Sequence, residues 1–388
     1  MHIVYWGTYD TGKPRNRILL RGLRENNIEV TECHADIWGG VEDKSQITGW
    51  KNKLKFILKW ILSYPGLIFR YLKLPRHDIA FVGYMGHLDV LILWFFAKMR
   101  NVPIVWDAFL SLYDTVIQDR QMVCPRNPLA KLLYCWEWLA CRAANLVILD
   151  TNAHADYFRH HFKLAYHRVG VAFVGAETDI FPPSSPKLIE CAKQDNSNEM
   201  SVLFYGQFIP LHGIETIILA AIRLRKEPIR WIIIGQGQES LKISNMLAKY
   251  FLPQLTWLPW ADYEKIVEYI HHADICLGIF GDSGKAGRVI PNKVFHILAA
   301  GKPLITRDSP AIRELLHDDM PGIFLVPPAA PQALANKIKY LSKKMTFSKE
   351  RFHQNLTDRI RPVAVAGMLL DQITKMSITL GKRRPNNA

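Results

Sequence analysis

The sequence predicts an α/β fold built on parallel sheets. The runs VLFYG (202–206), WIIIG (231–235), LTWLPW (255–260), ICLGIF (275–280) and LITR (304–307) have the length and apolarity of buried strands, and enough chain for one helix separates each from the next. Strands spaced this way join through helical crossovers, so the sheet is parallel. Ligands of such sheets bind beyond the carboxyl ends of the strands. Here those ends carry Gly206, Gly235-Gln236-Gly237, Gly281-Asp282-Ser283-Gly284 and Arg307-Asp308.

At 388 residues the chain is long for one core and comfortable for two. The segment FPPSSPKLIECAKQDNSNE (181–199) gathers prolines, serines and polar residues between two strand-rich regions and is expected to be the linker. It separates a first domain, 1–180, from a second, 200–350, with 351–388 as terminal helices and a basic tail. In the first domain HIVYWG reads as a strand, followed by the loop TYDTGKPRNR and a helix to about Asn26. That loop offers Gly12 for close approach and Lys13, Arg15 and Arg17 for anionic groups. IAFVG is the next strand. Tyr84-Met85-Gly86-His87 then leads into a helix that Asp89 can cap. After VPIVWD come Asp107, Ser111, Asp114, Asp119 and Arg120. Asp107, ending a parallel strand, is the carboxylate best placed to hold an acceptor hydroxyl. Asp150, Thr151, His154 and Asp156 follow another strand and read as lining or caps.

The formal net charge of +14 is unevenly spread. Residues 181–335 hold fifteen Lys/Arg and fifteen Asp/Glu, whereas Lys44 to Arg76 hold eight Lys/Arg and no acid, so the excess is local. In KNKLKFILKWILSYPGLIFRYLKL (51–74), Lys51, Lys55 and Lys59 recur every four residues, with Leu54, Ile57, Leu58 and Ile61 on the other side and Trp60 near the boundary. A helix of this kind suits an anionic membrane surface; the plainer alternative is a surface helix with its apolar side on the core. Nucleic acid is the competing partner for so basic a chain, but no helix-turn-helix, zinc-finger spacing or RNA-binding aromatic signature accompanies the patch. The six cysteines lack paired metal-site spacing, no Asp-x-Asp motif ends a strand convincingly, and no metal or other cofactor is expected. No signal peptide or transmembrane segment is read, which points to a reducing, cytoplasmic setting.

The run from YGQFIPLHGIETIILAA through IIIGQGQE to PNKVFHILAAGKPLITRDSPAIREL resembles the nucleotide-sugar half of retaining GT-B glycosyltransferases of the glycogen-synthase-like group. GTYDTGKPRNRILLRGLRENN, GYMGHLDVLI, WDAFLSLYDTVIQDR and LDTNAHADYF are similar to the first half of bacterial members that assemble glycans. The resemblance implies two Rossmann-like domains facing a central cleft, with the last helices crossing back to the first domain. It also implies transfer of a hexose-type sugar, with retention, from a nucleotide donor to a glycan or lipid-linked acceptor, and work at the inner face of the membrane.

The residues at the family's positions depart from its pattern. Where relatives carry an arginine and a lysine for the diphosphate, this chain has Gln207 and His212. Lys293, matching a lysine that follows a proline in relatives, is then the leading cation, aided by Lys285 and Arg288 and by the helix that starts near Pro291 and Asn292. His296 stands where a ribose-binding glutamate is usual, Arg288 where a sugar-binding glutamate is, and Asp282 or Ser283 is left to supply that contact, while the backbone amides of Gly281 to Gly287, Gly284 among them, are donors for the diphosphate. His87 corresponds to a histidine that meets the transferred sugar, with Tyr84, Asp114 and Arg120 beside it on the acceptor side. No covalent nucleophile is implied. A catalytically silent homologue that binds a nucleotide sugar or a partner enzyme, and a basic peripheral-membrane scaffold, are the alternatives.

Overall fold

The computed structural model describes residues 1–39, 49–183, 199–344 and 352–382. The first elements are β1 (His2–Gly7), α1 (Pro14–Glu25), β2 (Glu29–His34), α2 (Trp50–Lys73), β3 (Ile79–Val82), α3 (His87–Met99), β4 (Ile104–Asp107), α4 (Pro128–Ala143), β5 (Leu146–Leu149), α5 (Asn152–His161) and β6 (Val169–Val171). There follow β7 (Met200–Tyr205), α6 (Ile214–Arg223), β8 (Ile229–Ile234), α7 (Ser240–Lys249), β9 (Leu255–Leu258), α8 (Tyr263–His272) and β10 (Ile275–Leu277). The last are α9 (Gly284–Arg288), α10 (Asn292–Ala299), β11 (Leu304–Arg307), β12 (Ile323–Val326), α11 (Pro331–Lys344), α12 (Gln354–Ile360) and α13 (Pro362–Lys382).

The chain divides into two compact units. The first contains Met1–Ile117, Val123–Gly175 and Arg361–Ala388, and the second contains Gln118–Met122 and Ala176–Ile360. The boundary therefore falls at Gly175–Ala176 rather than at 180: Ala176 N–H bonds to the Ile360 carbonyl, and Phe181 is fully buried against His296. Residues 184–198, most of the expected linker, lie outside the described residues.

Each unit holds a six-stranded sheet. The orders are β2-β1-β3-β4-β5-β6 and β12-β11-β10-β7-β8-β9, and every pairing is parallel. Three strands had no counterpart in the sequence reading. Edge strand β2 (EVTECH) is polar and half-exposed, and edge strands β6 (VGV) and β12 (IFLV) are brief, so none shows the long apolar run that marks a central strand.

In the first unit, α2, α3, α4 and α5 share one core cluster on one face of the sheet; α1 and α13 cover the other. Among the described residues only Pro362–Gly381 is long and apolar enough to cross a membrane, and it buries Val365, Ala366, Leu369 and Ile373 beside α1. The two helices touch closely because Gly22 has no side chain. A Cβ there would stand 2.0 Å from the Pro362 carbonyl oxygen and 2.8 Å from Ala366 Cβ.

A Gly22→Ala substitution is therefore expected to push α13 off α1. The predicted cost is about 1–3 kcal/mol, the usual penalty of overpacking, read as a lowered denaturant midpoint.

Candidate functional site

In the second unit the loops after β7, β8 and β10 meet backbone to backbone. Gly206 and Gly235 hold φ of +140° and +139°, and a Cβ on Gly235 would lie 2.0 Å from the Gly206 carbonyl oxygen. Only glycine serves at either place. Over Gly206 stand Lys293, from the first turn of α10, and His212: a Cβ at 206 would be 2.8 Å from Lys293 Nζ and 3.1 Å from His212 Cε1. Three of the expected residues thus converge.

Their electrostatics are unusual. Lys293 is 5% exposed, its Nζ has no hydrogen-bond partner, and the ammonium sits 3.8 Å from the centroid of the Phe204 ring. Burial pushes its pKa well below the ordinary lysine value. Burial, with Lys293 adding to it, likewise holds the His212 imidazole well below its usual pKa, while His212 Nδ1 faces the Gln207 carbonyl. A neutral His212 brings no charge to an anion. The arrangement is a small basin that lacks the negative partner its lysine calls for, and an anionic ligand would supply one.

The adjoining loop follows Gly281. Arg307 Nη1 donates to the Gly281 carbonyl, fixing the loop over the strand ends. Ser283 caps α9 by accepting from Ala286 N and donates to Asp119 Oδ1 at 2.7 Å. Asp282 and Gly284 are exposed, Arg288 and Asn292 half-buried, and Lys285 buried. Arg120, expected on the acceptor side, belongs to the second unit. Its Nη2 lies 3.4 Å from exposed Gln207 Oε1, and its carbonyl accepts from Gln238 Nε2. His296, expected at the ribose, is buried among aromatic side chains. Phe181 stacks on it at 4.1 Å, Tyr263 meets it edge-on, and Tyr205 OH lies 3.4 Å from Nδ1.

The first unit's expected residues also gather at strand ends, but mostly on one another. Arg15 and Asp107, 1% and 0% exposed, form a two-pronged pair: Nε to Oδ2 at 2.9 Å and Nη2 to Oδ1 at 2.8 Å. Arg15 Nη1 donates to the Ala172 and Phe173 carbonyls. Burial opposes the guanidinium's charge, and Asp107 outweighs it, so the Arg15 pKa is raised. Neither side chain is available to an external anion or hydroxyl, contrary to the expectation for both.

His87 is likewise buried, with Nε2 3.5 Å from Glu137 Oε1 and its ring edge-on to Trp106. Asp89 does not cap α3; it accepts from Thr8 N, Thr8 Oγ1 and Tyr64 OH, tying the loop after β1 to α2. Gly12 N–H closes a turn on Asp10, Arg17 Nη1 donates to the Gly12 carbonyl, and Lys13 lies 4.0 Å from Asp10. Tyr84 N–H bonds to Asn16 Oδ1 while its ring meets Phe109, and Asp114 is buried with its N–H on Ser111 Oγ. Glu137 escaped the sequence reading. It accepts from Ser111 Oγ and from the amides of Leu112 and Tyr113, and a lone acid inside the apolar stretch YCWEWLAC was the signal for it.

On α2, exposed Lys59 donates from Nζ to the Ile37 carbonyl, and half-buried Trp60 donates from Nε1 to Thr8 Oγ1. Leu54, Ile57, Leu58 and Ile61 are exposed, not turned to the core, and Lys51 and Lys55 stand in solvent beside them.

Two units, each an all-parallel six-stranded sheet with helices on both faces, define the GT-B fold. Residues 189–358 match the family described as Glycosyl transferases group 1. The chain is 29% identical over 164 residues to the putative colanic acid biosynthesis glycosyl transferase WcaI of Escherichia coli K12, covering 41% of this chain and 40% of that one. It spans about two fifths or less of the length of the curated relatives it matches. Among solved structures, sucrose-phosphate synthase from Thermosynechococcus elongatus superposes with a TM-score of 0.71 at 16% identity, covering 98% of this chain and 100% of that one. Anabaena HepE in complex with UDP superposes at 0.67 and 14%, covering 96% and 100%.

The buried lysine sets a testable sign. Its folded pKa lies below the unfolded one, so the folded state binds fewer protons between the two; stability from this group rises with pH across that interval and is lost as pH falls. Lys293→Met is expected to raise the melting temperature most at the low-pH end of the stable range. It should also weaken nucleoside diphosphate binding by about 1–3 kcal/mol, roughly 5- to 150-fold, as titration calorimetry would read it.

Proposed function

We propose that the protein is a glycosyltransferase that moves a sugar from a nucleotide-sugar donor to a glycan or lipid-linked acceptor, with retention of configuration and no metal requirement. The observation that carries this is the partnerless buried Lys293 over Gly206, on the first turn of α10 at the carboxyl edge of a parallel sheet. The Glycosyl transferases group 1 match across residues 189–358 supports it, as does the capacity of HepE to bind UDP.

In this reading the donor diphosphate lies over Gly206, where a side chain would obstruct it. Lys293 stabilises the charge that grows on the leaving group, which is the largest demand of the reaction. The amides of the first α10 turn add donors. Lys285 and Arg288 lie one loop away and assist. As the bond from the anomeric carbon to the phosphate oxygen breaks, the acceptor oxygen bonds to that carbon from the same face and gives its proton to the leaving phosphate, so no enzyme nucleophile is assigned and the product keeps the donor's anomeric form. Asp107, being locked on Arg15, positions the first unit's strand ends and does not touch substrate.

The reading also places the enzyme on the cytoplasmic side of a membrane, touching anionic lipid through α2. The buried free thiols Cys33, Cys141 and Cys276 suit a reducing compartment. The exposed leucines and isoleucines of α2, flanked by Lys51 and Lys55, suit lipid.

A panel of nucleotide sugars is expected to contain one that raises the melting temperature by mass action and is hydrolysed or transferred with release of nucleoside diphosphate. Lys293→Ala should abolish that shift with the fold intact. A panel without any stabilising donor, or a Lys293→Ala protein that releases diphosphate at the wild-type rate, would overturn the assignment. For α2, Lys51→Glu with Lys55→Glu should reduce sedimentation with anionic vesicles at low salt, each lysine contributing about 1 kcal/mol, and leave donor binding unchanged.

A further inference from the structure

The membrane reading above rests on one helix, whereas the described surface is wider. Helix α2 divides into three sectors. Tyr64, Leu67 and Tyr71 are buried, and Trp60 packs against the same cluster. Leu54, Leu58, Ile61, Pro65 and Leu72, spaced 4, 7, 11 and 18 residues from the first, share one face of the helix and are all exposed. Lys51, Lys55 and Lys73 border that face.

The neighbouring helices continue it. On α3, Trp94, Phe95, Lys98 and Met99 form one exposed face. On α4, Leu129, Leu132 and Leu139 form another, with Leu132 62% exposed. The three helices lie in one layer, because their inner sides join a single cluster. Their composition excludes an ordinary wetted surface. Across α2, α3 and α4 there are nine Lys/Arg and only two acids, Asp89 and Glu137, and both acids are buried at 1% and 0% exposure. No exposed negative charge is left on the three helices. Lys73 over Phe69 at 4.0 Å and Lys98 over Trp94 at 5.1 Å keep cations beside the apolar rings.

We propose that α2, α3 and α4 together form a bilayer-docking surface for anionic lipid, with an inserted apolar band three helices wide and a basic border at the headgroups. The proposal rests on the α2 membrane reading and extends it. The charge pattern selects the occupant: a protein partner or a second copy of this chain would need acids to meet the basic border, and this face offers a second copy none. An apolar band of this kind is enriched in Trp, Phe and Leu and buries area in the acyl boundary, so part of the binding is independent of charge. The same surface carries the loop after β1, because Trp60 and Tyr64 of α2 hold Thr8 and Asp89.

The test is sedimentation of the full chain with vesicles of phosphatidylcholine alone and of phosphatidylcholine mixed with phosphatidylglycerol, at low and high salt. Three double variants are compared: Lys51→Glu/Lys55→Glu, Phe95→Ser/Met99→Ser and Leu132→Ser/Leu139→Ser. All six positions are exposed, and unchanged melting temperature and donor binding establish that each variant folds. The wild type should prefer the anionic vesicles and stay partly bound at high salt. Each apolar pair should lower the partition coefficient at least about tenfold. Loss in the lysine variant with wild-type binding by both serine variants overturns the three-helix surface and leaves the α2 contact standing. A wild type that ignores both vesicles overturns both. Wild-type dimers that dissociate in Phe95→Ser/Met99→Ser, with no vesicle binding, assign the face to self-association and overturn the lipid proposal.

Discussion

The first unit depends on the ion pair of Arg15 and Asp107. An all-parallel sheet brings the ends of its strands to one edge, and at that edge backbone and side-chain polar groups leave water together. Arg15 answers this with one guanidinium. It closes both oxygens of Asp107 at the end of β4 and two carbonyls after β6, while its own backbone lies in the first turns of α1. Removing either partner would strand a buried charge at a cost of about 3–5 kcal/mol. The edge is therefore rigid at its centre, and side chains with freedom to meet a ligand lie in the loops around it.

The second unit uses the opposite arrangement. At the corresponding edge Lys293 is buried without a carboxylate, on the face of Phe204 and beside a neutral His212. A charge so placed destabilises the empty state and stabilises a bound anion, which is how a site gains affinity from interactions that exist only in the complex. The two edges are chemically complementary in this respect: one satisfies its charges internally, the other leaves a cation for the ligand to satisfy.

Much of the architecture was legible because central parallel strands are short apolar runs with nothing else in them. WIIIG and LITR could be little else, and both strands end within one residue of the run. Edge strand β2 was not legible, since EVTECH carries two glutamates and one solvent-facing side. The convergence of Gly206, His212 and Lys293 was in part legible: Gly206 ends an apolar run, while His212 and Lys293 were singled out only through the family resemblance. The site was not legible where a polar side chain finds its partner far away in sequence. Arg15 with Asp107, Glu137 with His87, and Ser283 with Asp119 are long-range pairs, and a single sequence offers no sign of which partner each residue takes. The stack of His296 on Phe181 is another such long-range contact.

Helix α2 turns its leucine sector to solvent, as the membrane alternative of the sequence reading has it, and periodicity alone does not choose between that orientation and a core-facing one. Its sequence holds two apolar sectors, and a helix with apolar residues on more than one side can be oriented only by knowing which sector meets the sheet. The aromatic sector won because Tyr64 and Trp60 carry polar tips that reach Asp89 and Thr8, whereas Leu54, Leu58 and Ile61 have none to offer. Burying the leucine sector instead would leave Asp89 without its tyrosine donor. The exposed leucines thus follow from the hydrogen-bonding needs of the loop after β1, and a surface that water solvates poorly is the consequence.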